Sequence, residues 1–126
     1  MSPPPLLLSR PPAVQLVLVI VVPAVFGALA GVLLGVSEGA YLAVSLLGIL
    51  GGIAAGYEHS NADEGTVRGL CGGMLFGTFI LLAATLTGDE AKADVPDPQA
   101  VLPIVTTVLG ALFGAIGGAL RARGDR

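Results

Sequence analysis

The chain has 126 residues, of which 54% are hydrophobic and only 12% charged, with 19 glycines, one cysteine and a net charge of −3 at neutral pH. The charged share is about half that of a soluble domain, so too few polar groups remain to coat a water-facing surface. The small net charge speaks against nucleic-acid binding, and a lone cysteine excludes an internal disulfide framework.

Residues 1–12, "MSPPPLLLSRPP", carry five prolines that deny helical hydrogen bonding, which predicts a Pro-rich disordered tail. Beyond it the charges are confined. The intervals 11–37, 39–57, 69–88 and 98–120 contain no Asp, Glu, Lys, Arg or His. About 20 mainly apolar residues suffice for a helix to cross a bilayer core, so each interval is long enough to span. The expected fold is an all-α integral membrane protein, a four-transmembrane-helix bundle over residues 13–121, with helices near 13–36, 39–57, 62–87 and 98–121 and a short basic tail at 122–126. Stretches such as "VQLVLVIVV" lack the alternation that barrel strands require.

Arg10, the apolar run behind it and "ALA" at Ala28–Ala30 imitate a cleavable secretory signal. The apolar run continues to Val36, however, too long for a signal, so an uncleaved first helix is expected. Pro23 interrupts that helix, where it removes a backbone hydrogen bond and makes a hinge candidate. The connection "VSEG" is short enough to force helices one and two into an antiparallel hairpin. Helix two ends in "GYEHSNADEGTVRG", residues 56–69, a polar island in an apolar chain. Within it, Asn61 with Glu64, or Ser60 with Asp63, fits a capping box for helix three, and Glu64 with Arg68 has the spacing of a surface ion pair. Glu58 and His59 are left without a role by this reading. An acidic loop, "GDEAKADVPDPQ", precedes helix four, for which Asp97 as N-cap and Pro98 at the first helical position provide a start, with Pro103 just inside.

The strongest pattern is glycine at four-residue spacing in every helix: Gly27, Gly31, Gly35; Gly48, Gly52, Gly56; Gly69, Gly73, Gly77; Gly110, Gly114, Gly118. Such spacing draws a nearly straight stripe along a helix on which another backbone can approach closely. One glycine zipper per helix exceeds what three sequential helix contacts need, which keeps a homo-oligomer or a larger membrane partner in view. Similar stripes pair helix one with four and helix two with three, a nested relation unlike the repeat of an inverted transporter.

Catalytic chemistry is sparse. Ion-coupled transporters usually keep an ionisable residue within the membrane, and none of the four uncharged intervals has one. Their hydroxyls, among them Thr78, Thr106 and Thr107, can bond back to a preceding carbonyl. Small multidrug exporters, rotary ATPase proteolipids and fluoride channels are similar in size, helix count or glycine content. The membrane-embedded carboxylates of the first two groups, and the Asn and Thr-Thr-Phe-Ser signature of the third, are missing here. His59 is the only histidine, so no Ser, His and acid constellation supports hydrolysis, and Cys71 reads as a small apolar residue. Glu58, His59, Asp63 and Glu64 are weak candidates for a divalent metal, although their spacing matches no recognised motif. No cofactor is expected.

With the N-terminus cytoplasmic, Arg10, Arg68, Arg121, Arg123 and Arg126 fall on one side and Lys92, among acids, on the other. This positive-inside asymmetry predicts that both termini and the His59 loop are cytoplasmic. A preference for Arg over Lys with abundant Ala and Gly fits a GC-rich bacterial genome, hence a bacterial plasma membrane. The expected function is a small non-enzymatic structural, assembly or accessory component whose partners are the lipid bilayer and a larger membrane protein. The alternative is a homo-oligomeric, channel-like or holin-like permeabiliser.

Overall fold

The computed structural model describes residues 6–93 and 100–124, and these are helical with no strand among them. Four helices are long and apolar enough to cross a membrane: α1 (Pro12–Leu34), α2 (Glu38–Gly56), α3 (Ala62–Thr87) and α4 (Val101–Gly124). At 1.5 Å per residue even α2, the shortest, is about 28 Å long.

The helix ends follow from local chemistry. Pro12 opens α1 at the first helical position, where its missing N–H costs nothing. The chain turns at Gly35, and Ser37 caps α2 by accepting from the Ala40 N–H at 3.3 Å. That capping stops α1 at Leu34, two residues short of the expected end. Asn61 caps α3 through Glu64 N–H at 3.0 Å, while the Glu64 carboxylate reaches back to the Ser60 N–H at 3.1 Å and to the Ser60 hydroxyl at 2.7 Å. Of the two capping pairs the sequence allowed, Asn61 with Glu64 is the one used, with the Glu64 carboxylate returning to Ser60 one residue before the cap. Gly88 ends α3 at φ 70°, a left-handed geometry that glycine adopts without steric cost, and its N–H returns to Ala84 O at 3.1 Å. The proposed start of α4 at Asp97 and Pro98 lies outside the described residues. At its other end α4 continues through Gly124, so residues 122–124 extend the helix where a tail was expected.

Just before Pro23, residues Val17–Val21 widen into a π-helical turn, closed by Val22 N–H on Val17 O. Pro23 has no N–H to offer the carbonyl four residues back and its ring crowds that carbonyl. A wide turn at this place is the accommodation expected around such a residue.

The N-terminal segment corrects a second expectation. Residues 1–5 lie outside the described residues, but Leu7–Ser9 form a 3-10 turn, and Leu7 is only 5% exposed. Its N–H donates to Glu58 O at 2.9 Å, and Gln15 Nε2 holds Arg10 O at 2.8 Å. This part of the predicted tail is fastened to the α2–α3 turn.

The α3–α4 pairing is the most extensive contact, followed by α1–α3 and α2–α4, whereas α1 and α4 share no substantial contact. Backbones meet at glycine along the first of these. A Cβ added at Gly65 or Gly69 would overlap the carbonyl oxygen of Gly114 or Gly110, and one added at Gly110 or Gly114 would overlap that of Gly69 or Gly65. Gly73 meets the Thr106 carbonyl in the same way, and Gly77 meets the Thr106 hydroxyl and the Pro103 backbone. The Thr106 hydroxyl also donates to Gly73 O at 2.7 Å, so this threonine joins two helices and does more than the expected bond to its own. Thr107 does bond back, to Pro103 O.

Elsewhere the close approaches are fewer. Gly27 and Gly31 face the carbonyls of Phe76 and Ile80 on α3, and Gly56 faces Gly114. Gly35 meets the side chain of Asp89 instead of a helix backbone. Gly48 touches only the Phe76 ring, and a Cβ at Gly52 would make an ordinary 3.8 Å contact with Phe113. Gly65 and Gly117, outside the expected stripes, are as tightly packed as any glycine within them. Ala30, Leu34, Tyr41, Val44, Ile80 and Leu102 form the buried core, towards the end of the bundle opposite the α2–α3 turn. Large apolar side chains such as Val25, Leu46, Leu50, Met74, Leu82 and Val108 remain exposed around the helices.

Candidate functional site

The end of the bundle that carries the α2–α3 turn gathers most of its polar chemistry. Tyr57–Asn61 form the turn, and three segments close on it: the first turns of α3, which follow directly, and, from far away in sequence, Leu6–Arg10 and the last turns of α4. Each contributes an arginine.

Glu58 sits between two of them. Its carboxylate pairs with Arg10 through one oxygen and with Arg68 Nη2, at 3.5 Å, through the other. Arg68 is 7% exposed, a burial that α3 produces by turning this position inward on the face that carries Gly65 and Gly69. A buried charge is costly unless paired, so Glu58 has a structural reason to be present. The expected Glu64–Arg68 surface pair does not form: Glu64 is occupied by Ser60 and Arg68 turns the other way, towards Glu58 and His59.

His59 Nε2 lies 3.3 Å from Arg68 Nη1. A guanidinium can only donate, so Nε2 is the acceptor and the ring's proton belongs on Nδ1. Burial holds the imidazole below its ordinary pKa of 6.5 and the Arg68 cation lowers it further, against the opposing pull of Glu64 and Glu58. The third arginine, Arg121 of α4, donates from Nη1 to Tyr57 O at 2.9 Å and lies over the Tyr57 ring, 5.2 Å from its centre. Such stacking uses the face of the ring as a weak acceptor for the cation.

The pH dependence follows from these contacts. With a folded-state pKa below 6.5, His59 takes up a proton more readily in the unfolded chain. Its contribution to stability is therefore complete above that value and is lost as pH falls through the depressed folded one. Unfolding of the wild type and of His59→Gln, compared on either side of pH 6.5, should show the wild type losing more stability on acidification. Parallel losses in the two proteins would remove His59 as the cause.

The weak metal candidates are not brought together as ligands. Glu58 and Glu64 have the partners just described, Asp63 is exposed on the first turn of α3, and no group of three His, Cys, Asp or Glu among the described residues could hold a metal ion. Cys71 lies one turn beyond Arg68, on the wall of a cavity of about 330 Å³ that opens between the N-terminal segment, α1 and α3. Pro23 is on α1, with its ring 3.9 Å from the position of a Cβ at Gly72.

Sequence reasoning used Arg10 and Arg121 for topology, and Arg10 also for an apparent signal, and gave Leu7 and Tyr57 no role. One signal could have found the cluster. Once capping accounts for Asp63 and Glu64, only Glu58 and the C-terminal Asp125 are left at this end for five arginines, and Glu58 is the one nearer to Arg68 in sequence. No protein-family model matches the chain, and neither a search of curated proteins nor one of solved structures finds a match.

Proposed function

We propose that this chain is a small, non-enzymatic integral membrane protein of the bacterial plasma membrane, whose four helices cross the bilayer as a glycine-zipper bundle and which serves as a structural, assembly or accessory component for a larger membrane partner. The observation that carries this reading is the reciprocal fit of α3 and α4, in which Gly65, Gly69, Gly110 and Gly114 each lie against a carbonyl of the other helix. Water contributes little to helix association inside a bilayer, and close backbone packing is what small residues add there. The belt of exposed apolar side chains on all four helices suits contact with acyl chains. Arg10, Arg68, Arg121 and Arg123 at one end, against Lys92 at the other, support a cytoplasmic placement of the α2–α3 turn.

A homo-oligomeric pore is the second reading. In its favour, Gly51 on α2 has nothing within 4 Å and leaves a small-residue surface open to another helix. Against it, most glycines of α3 and α4 are already occupied within the chain, and the four spans carry no buried carboxylate or histidine that would line a polar path.

The two readings separate in one preparation. Protein solubilised from crosslinked membranes should migrate as a single copy joined to a larger protein, and purified protein should leave dye-filled liposomes intact. A ladder of self-crosslinked species together with dye release would replace the accessory reading by the pore. Recovery in the soluble fraction after alkaline washing of membranes would remove both.

A further inference from the structure

The open cavity beside the arginine cluster is mainly apolar, with a small polar edge. Its apolar wall is Leu7, Leu8, Val19 and Val67 with the Cys71 thiol, and its polar lining is Arg68, His59 and Glu64. Its volume of about 330 Å³ is at the lower end of the range for small-molecule sites.

Arg68 distinguishes this hollow from a packing defect. The side chain is only 6% exposed and carries five N–H donors, yet its contacts are long: 3.5 Å to Glu58 and 3.3 Å to His59. Charge-assisted hydrogen bonds to an oxygen close to below about 2.9 Å. A desolvated guanidinium whose partners stand at 3.3 and 3.5 Å, on the wall of a cavity, leaves room for the closer approach of an oxyanion oxygen. The local charges permit one. Glu58 is shared between Arg10 and Arg68, and Glu64, the remaining acid on the wall, is engaged by the Ser60 N–H and hydroxyl.

We infer that this cavity binds the headgroup of an anionic phospholipid, with a phosphate oxygen on Arg68 and the adjoining glycerol and acyl carbons against Leu8, Val19 and Val67. Position selects a lipid over a free anion. The cavity lies at the end of α1 and α3, beside the exposed apolar residues Leu16, Val67, Leu70 and Met74, over which acyl chains can continue. The N-terminal segment supplies one wall through Leu7 and Leu8, so its attachment to Glu58 O also shapes the site. The inference rests on the membrane placement proposed above.

Cys71, the only cysteine, is a native reporter of occupancy. Delipidated protein in a non-ionic detergent would be alkylated with a maleimide in the presence of phosphatidylglycerol, phosphatidylcholine or inorganic phosphate. Phosphatidylglycerol should slow alkylation at least about tenfold relative to phosphatidylcholine, whose phosphate is already neutralised by its own choline cation and so gains less from the guanidinium. Arg68→Gln should abolish that difference. Val67→Trp, on an exposed wall position, should lower retention of phosphatidylglycerol as read by intact-complex mass spectrometry, which keeps the test open if Arg68→Gln does not fold. Equal protection by both lipids would reduce the cavity to a place in the general lipid annulus and overturn the proposal. Protection by inorganic phosphate alone would reassign it to a soluble anion. Failure of the membrane reading shows separately, as release by alkaline washing.

Discussion

Gly114→Ala is expected to destabilise the bundle by about 2–3 kcal/mol, and Gly114→Leu to separate α3 from α4 altogether. A Cβ at this position would overlap Gly65 O and stand 2.9 Å from Gly69 Cα, and the carbonyl of Gly114 itself lies where a Cβ at Gly56 or Gly65 would be. Three helices thus meet at one residue, and neither neighbour has a flexible side chain that could move aside. Backbone must shift instead, which spreads the damage along the whole α3–α4 contact. Gly51→Ala is the matched control. With nothing within 4 Å of its Cβ, it should stay within about 0.5 kcal/mol of the wild type. Unfolding in mixed micelles with increasing anionic detergent gives both values. Equal stability of the two alanine variants would refute the close approach at Gly114.

Glu58→Ala is the second large expected effect. Removing this carboxylate leaves Arg10 and Arg68 near one another with no acid between them, and Arg68 is buried. Breaking a buried pair by deleting one partner costs about 3–5 kcal/mol; Arg10 is partly exposed at 27%, so about 3 kcal/mol is the appropriate expectation. The loss should be local in one respect. Leu7 N–H bonds to the Glu58 backbone carbonyl, and Arg10 to its side chain, so loss of the side chain should loosen the N-terminal segment first. Hydrogen exchange at Leu7 should accelerate more than exchange in the middle of α3. Pairing Glu58→Ala with Arg10→Ala should cost less than the sum of the two, because the same contact is lost in each. Strict additivity would mean that the Arg10–Glu58 pair does not hold the segment.

The polar stretch at residues 56–69 shows where sequence reasoning reached and where it stopped. Capping of α3 by Asn61 and Glu64 was legible because it is written within four consecutive residues and uses the chemistry of a helix start. The partner of Arg68 was not. Spacing along one helix offered Glu64, whereas the fold supplied Glu58 from the preceding turn and Arg10 from a segment nearly sixty residues earlier. A similar distinction runs through the glycines. Their four-residue spacing was visible as a face, but Gly48 and Gly52 meet only side chains, whereas Gly65 and Gly117 meet backbone carbonyls. The segment before α1 adds contacts that its composition did not suggest. Its prolines do exclude a long helix there, yet Leu7 finds a buried place and a backbone partner that composition does not reveal.

By itself the sequence determined four apolar helices, the cap of α3, and the confinement of charge to the helix ends. These are properties of consecutive residues, in which hydropathy, backbone hydrogen bonding and capping act over one or two turns. Only the tertiary structure decided that α3 lies against both α1 and α4, which glycines meet a carbonyl, and that three arginines close on Tyr57–His59. Those outcomes depend on how each helix is rotated about its axis and which helix is its neighbour. Nearly uniform apolar sequences specify neither, because every face of such a helix is acceptable to lipid and close packing alone distinguishes among them.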